Sequence, residues 1–207
     1  MPVRSSVYKF NPDSIKIGPA RVFIANYDDS EPPTQLADVV SLSTYDAAAG
    51  WTSLGDTIEP IAMAHGWATV EVNTQQHGRV TDYVGDYASR VTTTFAERTA
   101  AVKAAIMGID LTTATNAQSE NITYYTVTKQ LRERRLAVLH LDETVPSPFK
   151  LMMTIFPKVK RTGSDSEWSW DRDSQQGFPA EWNVYADEDL EDPETGQYVY
   201  AYDIDQP

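Results

Sequence analysis

"SRVTTTFAERTAAVKAAIMGI" (residues 89–109) changes its hydrophobic period part-way along. Val91, Thr93 and Phe95 keep a period of two, as a strand with one buried face requires. From Thr99 onward the spacing turns helical, with Thr99, Val102, Ala105, Ile106 and Ile109 near one stripe. Thr94-x-x-Glu97 has capping-box spacing, in which the hydroxyl takes the N3 amide and the acid reaches back. Gly108 is placed to close the helix in a left-handed turn. The stretch therefore predicts a strand running into a helix over about 96–108. So short a helix is marginal alone in water and must dock its stripe on a sheet.

The flanking segments read as strands. "ARVFIANYD" (20–28) is β-rich, with Gly18-Pro19 as the break before it, and "GWATVEVNTQQ" (66–76) alternates cleanly. "ITYYTVTKQ", "RRLAVLHLD", "FKLMMTIFPKVKRTG", "EWNVYADED" and "GQYVYAYDID" follow, and "EDPETGQ" between the last two has the composition of a hairpin turn. In 28–60, Pro32-Pro33 stops regular structure, "LADVVSL" reads as a short strand, and "AGWTSLGDTIEP" (49–60) is a connector with an exposed Trp51. Many strands and one confident helix predict a mainly β fold: a single-domain β-sandwich or barrel over 1–207 with one flanking α-helix.

Composition narrows the function. The 207 residues contain 41% apolar residues, five Trp and eleven Tyr, which suits a folded β protein rich in contact surface. Without cysteine, no disulfide or thiolate-zinc site can form. No apolar stretch approaches the ~18 residues of a membrane span, and "MPVRSSVYKFNPDS" is polar and mixed, unlike a secretory leader. The net charge of −13 is concentrated: residues 1–163 hold 17 acids and 16 bases, residues 164–207 hold 13 acids and only Arg172. That acidic end is a solvated surface, or a segment that repels polyanions or meets a basic patch on a neighbour. The inter-subunit electrostatic candidates for such a patch are Arg134, Arg135, Lys158, Lys160 and Arg161. No basic face is dense enough for sequence-specific nucleic-acid binding.

Catalytic constellations are lacking. His65, His77 and His140 have neither metal-ligand spacing nor a paired acid, so no metal centre is expected. No phosphate loop or nucleophile elbow occurs. An acid pair such as Glu71 with Asp142 is what thirty acids produce by chance, so no catalytic residue and no cofactor is predicted. Asn121-Ile122-Thr123 matches a glycosylation acceptor with nothing else to suggest secretion.

Three features combine in order: "GWTSLGDT" (50–57), "VEVNTQQ" (70–76) and "RVTTTFAERTAAVKAAIMGI" (90–109). A Trp–Leu–Gly connector, an acidic alternating strand, and a strand ending in Phe-Ala-Glu before an Ala-rich helix resemble the major tail (tail tube) proteins of long-tailed bacteriophages. The likeness runs over roughly residues 16–160 and is greatest to siphophages of actinobacterial hosts.

That resemblance implies a non-enzymatic structural virion protein, located in the virion tail after synthesis in the host cytoplasm. Homohexameric rings would stack helically into a tube through which genomic DNA passes on ejection, read by no base contact and with no membrane insertion. Its other partners would be the tape-measure, tail terminator and tail-tip proteins. By order of elements, 43–60 matches the stacking loop. Trp51 and Leu54 would then be anchors buried by the next ring, Gly55 the turn, and Asp56 and Glu59 wet or paired across the joint. Val70, Val72, Val91, Phe95, Leu151, Met153 and Ile155 would fill the core. Thr69, Glu71, Asn73, Thr92 and Thr94 would face the lumen, where cations would grip phosphate and slow DNA. The acidic end, 164–207, completes the sandwich or clasps a neighbour. Rival readings are the tube of a contractile injection system, a tail terminator or connector ring, and a carbohydrate-binding β-sandwich displaying Trp168, Trp170 and Trp182.

Overall fold

A computed structural model describes residues 20–29, 31–55, 57–74, 78–96, 99–108, 112–115, 121–124, 131–142, 150–162 and 177–206. Among them the fold is mainly β with one α-helix. The strands in chain order are β1 (Ala20–Asn26), β2 (Trp51–Ser53), β3 (Ala62–Thr74) and β4 (Gly78–Phe95); the helix α1 (Ala100–Met107) follows. Then come β5 (Thr112–Thr115), β6 (Asn121–Tyr124), β7 (Arg134–Asp142), β8 (Lys150–Arg161), β9 (Phe178–Tyr185), β10 (Asp187–Glu191), β11 (Tyr198–Val199) and β12 (Tyr202–Asp205). One antiparallel sheet runs β2-β1-β7-β8-β9-β4-β3, and two short hairpins, β5-β6 and β10-β11, stand off it.

The centre of this sheet, β1-β7-β8, is apolar on both faces. Val22 and Ile24 of β1 with Leu136 and Val138 of β7 enter one core; Phe23, Ala25, Ala137 and Leu139 enter a second on the reverse side. The first core is closed by α1 and by β4 and β9, whose Phe95 and Trp182 meet edge to face at 6.2 Å. The second is closed by Leu36, Val39, Val40 and Trp51.

β8 serves both cores by carrying one extra residue. Its pairing with β7 steps from Leu136↔Phe156 to Arg134↔Val159. This bulge spans Pro157, which has no N–H for a ladder, and it returns Val159 to the side that Phe156 faces. Leu151, Met153 and Ile155 face the other core, as the alternation predicted. Beyond the bulge β8 pairs with β9 at 158–161; before it, β12 occupies the same edge at 152–155.

The strand-to-helix reading holds with a shifted cap. Val91, Thr93 and Phe95 are buried and Val102, Ala105 and Ile106 dock α1 on the sheet. Gly108 closes the helix at φ 65°. The N-cap is Thr99, whose side chain accepts from the Val102 amide at 3.1 Å. Thr94 remains in β4 and donates to Glu59 Oε2 at 2.6 Å, so the predicted capping box does not form. The β4 pairing with β9 holds 89–95 extended through Phe95.

Two other expectations fail in 28–60. "LADVVSL" is a 3-10 turn at Leu36–Asp38 followed by a single bridge, Val40↔Ala47, because Asp38 folds back to accept from the Thr34 and Gln35 amides. The connector contains β2, an edge strand of the main sheet. The turn at "EDPETGQ" is as expected: Asp192 accepts from the Glu194 and Thr195 amides, and Gly196 takes φ 64°.

Thr99→Ala should cost about 1 kcal/mol in urea unfolding, the usual worth of an N-cap. Thr94→Ala, which leaves that cap intact, should move the midpoint much less.

Candidate assembly surface

β4 and β9 sort their side chains by face. Val91, Thr93, Phe95, Phe178, Ala180, Trp182 and Val184 point into the first core. Arg90, Thr92, Thr94, Glu181 and Asn183 occupy the reverse face, which no described element covers. There Arg90 pairs with Glu181 at 3.0 Å, and Lys160 and Lys158, in register with Asn183 and Tyr185 on the same face, meet Glu133, so each of these cations has an acid beside it. Glu59, from the connector, reaches the same face through its bond to Thr94. Thr92 and Thr94 thus lie on the face opposite the core, as the alternation predicted. Thr69, Glu71 and Asn73 stand on β3 opposite Val84, Asp82 and Arg79, and their side chains lie outside the described part, as do those of Val70 and Val72.

β3 ends the sheet. Ala62, Met63, Ala64 and Gly66 are exposed along it, and "AMAHG" (62–66) contains no Lys, Glu or Pro to block pairing by another strand. β9 joins β4 only at 89–95, so β3 and β4 continue past it as a two-stranded arm among the described residues.

The connector departs from expectation. Trp51 is 8% exposed and Leu54 fully buried. An offset of three along an extended chain sends them to opposite faces, so Trp51 enters the second core and Leu54 the first. They are protomer core residues and not anchors awaiting another ring. Gly55 does make the expected turn at φ 80°, Glu59 is exposed, and Asp56 lies outside the described residues. The exposed apolar side chains of this region are Leu42, Tyr45 and Ile58, which periodicity does not single out.

The basic candidates are engaged within the protomer. Arg135 is buried and pairs with buried Asp187 at 3.2 Å, and its guanidinium stacks 4.5 Å from the Tyr27 ring. Tyr27 donates to Asp187 at 2.6 Å and to Asp189 at 3.1 Å. Burial raises the Asp187 carboxyl, but the bonds from Tyr27, the Asp189 amide and Arg135 outweigh it, so its pKa is lowered. Burial and the two carboxylates raise the Tyr27 hydroxyl. Arg161 is also buried, donating to the Ile106 carbonyl at the end of α1, where the helix dipole favours a cation. Its pKa is lowered chiefly by burial. Lys160 and Lys158 meet Glu133 at 2.7 and 3.9 Å, and Arg134 is half-buried on β7. Residues chosen for basic runs were thus a buried pair, a helix cap and a local bridge, distinctions that only pairing partners reveal.

No group of His, Asp and Glu suited to a metal ion occurs among the described residues. His140 is mostly buried, which lowers its pKa against the opposing influence of Asp203. Trp182 is a core residue, not a displayed ring, and Trp168 and Trp170 lie outside the described residues. No described helix is long and apolar enough to cross a membrane. Neither the scan of protein-family models nor the search of curated proteins found a match.

Trp51→Ala should lower the stability of the isolated protomer by about 3–5 kcal/mol, as a cavity in a packed core does. An unchanged unfolding curve for the dilute protein would return Trp51 to the role of an interface anchor. Arg135→Met, which leaves Asp187 buried without its cation, should cost about 3–5 kcal/mol, with much of that recovered in Arg135→Met/Asp187→Leu. A lowered folded-state pKa stabilises above the unfolded carboxylate value of about 3.9 and is lost as pH falls through the folded value. Acid unfolding below about pH 4 should therefore be less steep in Asp187→Asn than in the parent.

Proposed function

We propose that this chain is a structural protein that polymerises through its sheet into a tail tube, the conduit for phage DNA. The observation that carries the reading is a sheet whose one face is closed by α1 and the first core while β4 and β9 present a polar face that no described element covers. β2 and β3 end that sheet among the described strands, and β3 has no Lys, Glu or Pro over 62–66. Repeating such a unit about an axis would join edges into a closed barrel, which removes the open edges. The polar face suits a DNA channel, with Glu59, Glu181 and hydroxyls facing phosphate, Arg90 matched by Glu181, and Lys158 and Lys160 matched by Glu133. The resemblance of 50–57, 70–76 and 90–109 to tail tube proteins points the same way. Stacking between rings falls to the exposed Leu42, Tyr45 and Ile58, because Trp51 and Leu54 are occupied in the protomer.

Negative-stain microscopy of the concentrated protein should show sixfold rings and hollow tubes. Ala64→Pro, which blocks the β3 edge, should abolish rings, while Leu42→Ser/Tyr45→Ser should leave rings that no longer stack. Rings that never stack in the parent would favour a terminator or connector. Monomers at every concentration, with intact circular dichroism, would defeat the tube reading.

A further inference from the structure

β12 has β8 on one edge and no described strand on the other. Beside it lies a groove of about 520 Å³ bordered by all four β12 residues. Pro33, Leu190, Val199 and Ile204 supply apolar lining; Glu191, Asp203 and Asp205 supply acid; no Lys or Arg among the described residues lines it. Asp203 already accepts from Thr154 at 2.7 Å, whereas Asp205 and Glu191 have no side-chain partner among the described residues. Tyr202 and Ile204 pack toward the second core, so Asp203 and Asp205 alternate to the reverse side.

The groove thus asks for an extended segment with apolar residues on one side and a cation between them. Residues 1–19 contain three cations against one acid, and "VYKF" (7–10) sets Lys9 between Tyr8 and Phe10. Geometry decides whether the same chain can supply it. Ala20, His140, Met152 and Asp205 stand in one row across β1, β7, β8 and β12. A strand added outside β12 would lie four strand spacings from β1, about 19 Å. Eleven residues from Lys9 to Ala20 can span about 36 Å. "IKI" (15–17) has the same pattern, but the four residues from Lys16 to Ala20 reach only about 14 Å.

We infer that Val7–Phe10 of the same chain adds as a strand to the open edge of β12, with Lys9 beside Asp203 and Asp205 and the two aromatic residues on the Ile204 side. Backbone bonds would supply affinity and the alternating side chains register. This inference does not rest on the tube reading.

The chain contains no cysteine, so introduced pairs report without background. Lys9→Cys/Asp205→Cys, oxidised with glutathione disulfide in dilute monomeric protein, should form an intrachain disulfide. It should form roughly tenfold faster than Lys9→Cys/Lys103→Cys, whose second position lies on α1, at the Arg161 end of β8 and away from β12, because docking raises the effective concentration. In the otherwise native chain, Lys9→Glu/Phe10→Ser should speed hydrogen exchange at 202–205 and leave 22–25 unchanged. Equal rates for the two cysteine pairs, or a disulfide found only at dimer mass, would overturn the inference. So would exchange at 202–205 that the Lys9→Glu/Phe10→Ser change does not alter. Tube formation enters none of these readouts.

Discussion

Burial of β1-β7-β8 on both faces is the constraint on which the rest of this structure depends. A half-buried antiparallel sheet needs one cover; this layer needs two, since Phe23 and Ala137 are as buried as Val22 and Leu136. α1 with β4 and β9 covers one side, and the segment around Leu36, Val39, Val40 and Trp51 covers the other. The bulge at Pro157 follows from the same demand, because β8 must feed both cores while changing neighbours from β12 to β9. So does β2, which borders the layer and sends Trp51 and Leu54 to its two sides.

Two buried guanidinium groups hold separate elements to this layer, and each sits where a carbonyl or carboxylate would otherwise be stranded. Arg161 meets the Ile106 carbonyl at the C-terminus of α1, a group with no helical partner. Arg135 with Tyr27 receives Asp187 at the start of β10 and fixes where the acidic end leaves the sheet. The fork of an arginine suits both tasks, since several donors can be satisfied without water: Arg161 also bonds the Thr162 oxygens, and Arg135 the Pro157 carbonyl. Charge at these positions therefore serves the protomer.

What could be read beforehand follows from this layering. β1, β7, β8 and the 89–95 end of β4 were legible because alternation or apolar runs survive wherever at least one face is buried, β3 from its alternation over 66–76, and α1 because its period switches; the 78–88 part of β4 was not read. The connector was not: β2 is three residues long with Thr52 exposed, and the buried Trp51 and Leu54, at i and i+3, fit neither template. The cap was misplaced because Thr94 and Thr99 both offer a hydroxyl, and only the β9 pairing decides that the chain stays extended through Phe95. Of the candidate surface, the inward and outward faces of β4 at 91–95 were legible, since they restate the alternation. The unblocked β3 edge was not, because nothing local tells an edge strand from a central one.

The uncovered face and the free edge constrain each other. A face of Thr92, Thr94, Glu181 and Asn183 gains nothing from burial, so no second sheet will pack on it. The β3 backbone, by contrast, has an edge that no described strand pairs, beside exposed Ala62, Met63 and Ala64. An association that satisfies the edge and keeps the face wet must add strands in the plane of the sheet. Because sheets twist with a fixed hand, in-plane addition of identical units curves, and a closed ring leaves no edge unpaired. Its polar face then lines either the outside or a channel. Face-to-face dimers would bury Thr92, Thr94 and the Arg90–Glu181 pair, and so they are the disfavoured arrangement.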